Sequence, residues 1–91
     1  MRDYEFTVIF NSEEEKTEQG LATLTKLFET AGIEIAKQED MGVRTLAYII
    51  KKQEKGHYVY FEIKADPANL ADLNTKLLLC EPVIKFLFVV K

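Results

Sequence analysis

The segment Gly42–Lys64, GVRTLAYIIKKQEKGHYVYFEIK, decides the fold of this chain, because two runs of β-branched and aromatic residues flank a polar stretch. In the second run Val59, Phe61 and Ile63 alternate with tyrosine and glutamate, which is the two-residue period of a strand with one buried face. The intervening KKQEKG is typical of a polar turn. We therefore expect two long antiparallel strands joined by a hairpin in the middle of the chain.

The first strand of this hairpin changes the parity of its apolar residues. Ile33 and Ile35 place odd positions towards the core, whereas Leu46 and Tyr48 place even positions there. A regular strand cannot make this change, because its side chains alternate strictly between two faces. One extra residue is needed, and Gly42 is the natural place for the bulge. We therefore expect both ends of the segment, including Tyr48, to serve the core.

The flanking segments predict one further strand and one helix on each side. In YEFTVIF the even positions form the richer face, and NSEEE predicts a helix start with Ser12 as the cap and Glu15 completing a capping box. A leucine stripe follows, and Gly32 predicts the helix end. Downstream, Asp66 and Pro67 predict the start of a second helix, and VIKFLFVVK predicts the last strand.

The element order is therefore β-α-β-β-α-β within a single domain, residues 1–91. Both helices carry one apolar stripe that must be buried, so the economical arrangement is α+β and ferredoxin-like, with a four-stranded antiparallel sheet and two helices on one face. The residues expected under the helices are Phe6, Val8, Leu46, Tyr48, Phe61, Ile63, Phe86 and Phe88. The residues expected on the open face are Ile9, Tyr58, Tyr60 and Leu87, which predict a binding face.

The composition favours neither an enzyme nor a protein that binds nucleic acid through a large net positive charge. The formal net charge is −3, with the acids concentrated in SEEEKTE and KQED. Cys80 and His57 are each the only residue of their type, and Glu39 and Asp40 are neighbours that point apart in a strand, so no catalytic residues, metal site or cofactor is predicted. No apolar run spans a bilayer and the N-terminus lacks the apolar region of a signal peptide, so a soluble cytoplasmic chain is expected.

Four segments in order, MRDYE, EDMGVRTLAYIIKK, GHYVYFEIKA and VIKFLFVV, resemble the family of the sixth small-subunit ribosomal protein of bacteria. The resemblance covers essentially the whole chain. Its most specific motif is glycine–x–basic–x–Leu–Ala–Tyr–x–Ile, which stands here as Gly42, Arg44, Leu46, Ala47, Tyr48 and Ile50. The fold of that family is the β-α-β-β-α-β arrangement expected above.

The resemblance implies a non-enzymatic structural role on the ribosome in the cytoplasm. It implies that the chain pairs with the eighteenth small-subunit protein and that the pair binds the central domain of small-subunit ribosomal RNA. A basic partner would also account for the acidic composition. By the same resemblance, the RNA-binding residues are Arg2, Tyr4, Arg44 and Lys85, and the residues assigned to the protein partner are Tyr58, Tyr60 and Leu87.

Two other functions are compatible with this fold class. One is a regulatory domain that binds a small molecule between two copies, although such domains are usually fused to a catalytic one. The other is a small hydrolase similar to acylphosphatases, whose anion-binding loop follows the first strand. The corresponding stretch here, FNSEEEK, is acidic and would repel an anionic substrate.

Overall fold

A computed structural model describes residues 2–50 and 52–90. The elements follow one another as β1 (Arg2–Asn11), α1 (Glu14–Ala31), β2 (Glu34–Ile50), β3 (Gln53–Ala65), α2 (Pro67–Leu78) and β4 (Val83–Val90). The four strands form one sheet in the order β2-β3-β1-β4, and each neighbouring pair is antiparallel. This arrangement confirms the predicted α+β, ferredoxin-like fold.

The main core lies between the sheet and the two helices. Phe6 at its centre is fully buried and stacks on Phe88, with 4.4 Å between ring centroids, and it meets Phe28 of α1 edge to face at 5.9 Å. Leu73 and Leu77 bring α2 onto the same core. Because these residues come from strands and both helices, the helices cover one face of the sheet and leave the other open.

The helix ends combine one wrong prediction with two confirmed ones. Ser12 does not cap α1: the N-cap is Glu13, which makes no side-chain capping bond, and its N–H is instead bound by the Asn11 side chain at 3.0 Å. At the other end Gly32 is left-handed with φ 71°, as predicted for a helix stop. Asp66 accepts a hydrogen bond from the Ala68 N–H at 3.2 Å, which confirms it as the cap of α2.

Strand β2 contains two bulges in its first ten residues, where we predicted one. The pairing with β3 shifts between Ile35 and Lys37, and again between Asp40 and Gly42. The second shift is the predicted bulge at Gly42. The first was not predicted, and because each bulge reverses the parity, the two together restore it. Val43 therefore faces the helix side, opposite His57, as Ile35 does opposite Ile63.

The restored parity overturns the predicted positions of Leu46 and Tyr48. Leu46 is buried on the open face, where it packs with Ile9 and Ile84. The Tyr48 side chain is 63% exposed, so its predicted core role is wrong. The stretch KQED between the two bulges is polar on both sides. The first bulge therefore leaves no trace in the alternation of apolar residues.

The bulge at Gly42 is held by a polar contact on the helix side of the sheet. Gly42 has φ 80°, a left-handed conformation that glycine adopts without strain. The Asp40 carboxylate accepts the Gly42 N–H at 2.8 Å and lies 2.6 Å from Nε2 of His57. The hydrogen bond to His57, followed by the one from Gly42, lowers the pKa of the Asp40 carboxyl group.

This lowered pKa makes a pH-dependent contribution to stability. A carboxyl group whose pKa is lower in the folded protein stabilises the fold above its unfolded pKa, about 3.9, and loses that effect as the pH falls. We expect the difference in free energy of unfolding between the native protein and Asp40→Asn to be largest above about pH 5 and to shrink as the pH falls below about pH 4. Urea titrations at a series of pH values measure it.

The His57→Gln background is the control for this experiment. Removing His57 removes the largest cause of the shift, so Asp40→Asn should then show a smaller dependence on pH. A difference that stays constant from pH 7 to the acid limb would show that the carboxylate does not titrate with the fold.

The positions of Leu46 and Tyr48 give a second prediction. Leu46→Ala removes a buried leucine and should cost about 2 kcal/mol of unfolding free energy. Tyr48→Ala, two residues along the same strand, should cost less than about 1 kcal/mol, because the side chain is mostly exposed. Urea denaturation of both variants checks the assignment. The reverse ranking would restore Tyr48 to the core.

Candidate functional site on the open face of the sheet

The open face is organised in rows of residues that lie opposite one another on neighbouring strands. One row runs from Tyr60 on β3 through Thr7 on β1 to Leu87 on β4. The next row, about 6.7 Å away along the strands, runs from Tyr58 through Ile9 to Lys85. These two rows are the middle of the face and contain five large side chains.

One end of the open face is polar and the other is apolar. Towards the start of β1, Glu5 lies opposite Glu62, and Lys37 approaches Glu62 at 4.0 Å. Towards the end of β1, Ile9, Leu46 and Ile84 form a small buried cluster against which Tyr58 packs. We call this end, Ile9, Leu46, Ile84 and Tyr58, the apolar patch.

The apolar patch depends on the absence of a side chain at Gly56. A Cβ atom at this position would lie 2.3 Å from Cγ2 of Ile9 and 3.4 Å from Cδ2 of Leu46. Both residues therefore occupy the space over the backbone of Gly56. This close approach brings Leu46 down onto the sheet.

The residues after Leu46 cross the open face. Thr45 pairs with Lys55 and Ile50 pairs with Gln53, so β2 advances five residues while β3 advances two, which leaves three extra residues in β2. We call residues 46–50 the strap. The strap places Tyr48 beside Lys85 of β4. Nζ of Lys85 donates a hydrogen bond to the Tyr48 hydroxyl at 3.3 Å.

The residues predicted for the protein partner lie together on this face. Tyr58 and Tyr60 are half-buried on β3, and Leu87 is 60% exposed on β4. A shallow cavity of about 200 Å³ lies beside them and is lined by Thr7, Ile9, Lys85, Phe86 and Leu87. The structure thus places the three residues in two neighbouring rows of the open face, and their role in partner binding stays a prediction.

The residues predicted to contact RNA are not grouped in the same way. Arg44 and Lys85 are exposed at the end of the face that holds the apolar patch, on β2 and β4 respectively. Arg2 is exposed at the other end of β1, roughly 23 Å from Ile9 along the strand. Arg2 would therefore reach a different part of any bound RNA.

The position of Tyr4 argues against the predicted RNA contact, because its side chain is only 5% exposed and belongs to the core under the helices. Its even position in β1 follows the same alternation as Phe6 and Val8, so it packs where they do. We assign Tyr4 to packing instead of to RNA contact.

Tyr48 and Ile49 are the surface residues that sequence reasoning missed. Both are more than 60% exposed, and both lie on the strap. The available signal was the unbroken run LAYII, in which apolar residues occupy odd and even positions alike. Such a run cannot be one regular half-buried strand.

Other chemistry is sparse among the described residues. They contain no group of three or more His, Cys, Asp or Glu that could hold a metal ion, and Cys80 is half-buried. No helix in residues 2–50 and 52–90 is long and apolar enough to cross a membrane.

Comparison with known proteins identifies the family. The family described as ribosomal protein S6 matches residues 3–90. The small ribosomal subunit protein bS6 of Treponema denticola is 39% identical, over 98% of this chain and 96% of the relative, and that of Synechococcus elongatus is 34% identical, over 98% and 87%.

Solved structures agree with this assignment. The crystal structure of 30S ribosomal protein S6 from Thermotoga maritima superposes with a TM-score of 0.87 and 30% identity, covering 99% of this chain and 87% of that one. The C-terminal domain of MgtC from Mycobacterium tuberculosis, at a TM-score of 0.68 and 14% identity over 100% of this chain and 88% of that one, shares the fold alone. The chain belongs to the ribosomal protein S6 family.

Proposed function

We propose that this ribosomal protein binds the central domain of small-subunit ribosomal RNA together with the eighteenth small-subunit protein, as a single domain on the ribosome in the cytoplasm. The observation that carries the proposal is the end of the open face where Arg44 and Lys85 lie with the apolar patch. Cations at this end suit RNA phosphates. Ile9, Leu46 and Ile84 of the patch are buried, so the apolar side chains available to a protein there are the half-buried Tyr58 and the exposed Leu87 beside it.

The charge distribution explains why a partner is required. Phosphate contacts supply much of the affinity for RNA, and the chain carries a net charge of −3. Among the described residues, Lys16, Lys37 and Lys76 each lie within 4.0 Å of a carboxylate, whereas Arg44 and Lys85 form no such ion pair. Three lysines are thus paired with carboxylates, and in a chain of net negative charge a basic partner would add further phosphate contacts.

The protein partner and the RNA would occupy neighbouring parts of the open face. Tyr58, Tyr60 and Leu87 lie in the two middle rows of the face, where they would bury apolar surface against the partner. Arg44 and Lys85 would bind phosphates beside it, and Arg2 would make a separate phosphate contact at the far end of β1. No residue of this arrangement is assigned a catalytic role.

Cooperative RNA binding is the first prediction of this proposal. In filter-binding titrations on a central-domain RNA fragment, the chain alone should bind weakly. Adding the eighteenth small-subunit protein should tighten binding by about 5- to 150-fold, the usual range for coupled sites. The affinity of the pair should also fall steeply with salt. Equal affinity with and without the partner would rule out the cooperative function.

The partner surface gives a separate prediction. Tyr60→Ala and Leu87→Ala should each weaken the protein–protein affinity by roughly 5- to 30-fold, equivalent to 1–2 kcal/mol, because both remove side chains from the centre of the proposed interface. Leu79→Ala is the control, since it removes an exposed leucine beyond the end of α2. Calorimetric titration with the partner measures all three. Equal affinity for the native protein and the two face variants would place the partner elsewhere.

A further inference from the structure

Tyr48 and Lys85 meet across the whole width of the open face. Tyr48 belongs to the edge strand β2 and Lys85 to the opposite edge strand β4, with β3 and β1 between them. The row of Lys85 ends at Gly42 on β2, so on a regular path of that strand Tyr48 would lie six residues, roughly 20 Å, further along. The contact exists because the strap leaves the regular path of β2 and lies over the apolar patch.

Both parts of the Tyr48 side chain engage the Lys85 ammonium group. The hydroxyl oxygen accepts a hydrogen bond from Nζ at 3.3 Å, and the ring centroid lies 5.8 Å from Nζ, within the range of a cation–π contact. Leu46, two residues earlier, is buried against Ile9 and Ile84 and anchors the strap. The strap that carries the Tyr48 ring is thus anchored by packing that does not involve Lys85.

The Tyr48 phenol binds the Lys85 ammonium group without placing a negative charge beside it. The ammonium group has three N–H donors and Tyr48 takes one, which leaves two for an anion. The other lysine contacts in the described part of the chain are different, because Lys16, Lys37 and Lys76 face carboxylates that compete with phosphate. Among the described residues, Lys85 is therefore held at a defined place by an acceptor that carries no negative charge.

We infer that Tyr48 is a positioning residue, which holds the Lys85 ammonium group over the open face, ready to bind an RNA phosphate. This inference rests on the proposed function, in which Lys85 contacts phosphate. A lysine that is ordered before binding loses less side-chain entropy when the phosphate arrives, so its contact contributes more to affinity.

The inference is tested first without RNA. In the free protein, ¹³C relaxation of the Lys85 side-chain carbons reports how far it is ordered. Tyr48→Phe removes the hydroxyl and keeps the ring, so the order parameter should fall, and Tyr48→Leu should lower it further. An unchanged order parameter in both variants would overturn the inference whatever the RNA-binding activity.

The second test is a double-mutant cycle on RNA binding by the pair, with the protein–protein affinity measured separately. Lys85→Gln should weaken binding about 3- to 10-fold and reduce the salt slope by about 0.7–0.9, the change for one lost phosphate contact. Tyr48→Phe should weaken binding about 2- to 3-fold with an unchanged salt slope, since no charge is lost. In the Lys85→Gln background, Tyr48→Phe should have no further effect.

The outcomes separate this inference from the proposed function. Lys76→Gln, which removes the same charge from α2, is the control and should leave binding unchanged. Suppose that Lys85→Gln weakens binding but that Tyr48→Phe has no effect, or has the same effect in the native and Lys85→Gln backgrounds. The positioning role is then wrong and the proposed function stands. If Lys85→Gln behaves like the control, Lys85 does not bind phosphate and the inference falls with that contact.

Discussion

The alternation of side chains along β2 is the constraint on which the open face depends. Two bulges, after Ile35 and after Asp40, each reverse the alternation, so that Val43 again faces the helices. Arg44 consequently lies on the open side of the sheet. With one bulge instead of two, Val43 would face solvent and Arg44 would point towards α1, whose first turn carries Glu14 and Glu15. The second bulge thus supplies a cation to the open face.

The same alternation explains how a strand that overruns the sheet becomes part of the site. The strap is longer than its pairing with β3 requires, and a polar sequence there would extend into solvent as a flexible hairpin tip. Leu46 instead finds the space that Gly56 leaves beside Ile9 and is buried there. One buried leucine therefore fixes the direction of the strap, and this direction determines the position of Tyr48.

The fold could be predicted from the sequence because its signals are local and agree with one another. The alternation in β1 and β3, the Asp66–Pro67 start of α2 and the stop at Gly32 each specify one element, and the observed arrangement is the economical way to bury both helices. Tyr58, Tyr60 and Leu87 were correctly placed on the open face for the same reason.

The arrangement in β2 could not be predicted in full, because it depends on tertiary contacts. The first bulge falls in a polar stretch without periodicity. The path of the strap depends on Gly56, which has no side chain, pairs with Arg44 of β2 and lies against Ile9 of β1. The exposure of Tyr48 follows from these two features. Net charge likewise does not record how each cation is paired, since carboxylates lie beside Lys16, Lys37 and Lys76, while Lys85 is held by a phenol. An acidic chain can therefore retain a cation without a competing carboxylate when the neighbour of that cation is an uncharged acceptor.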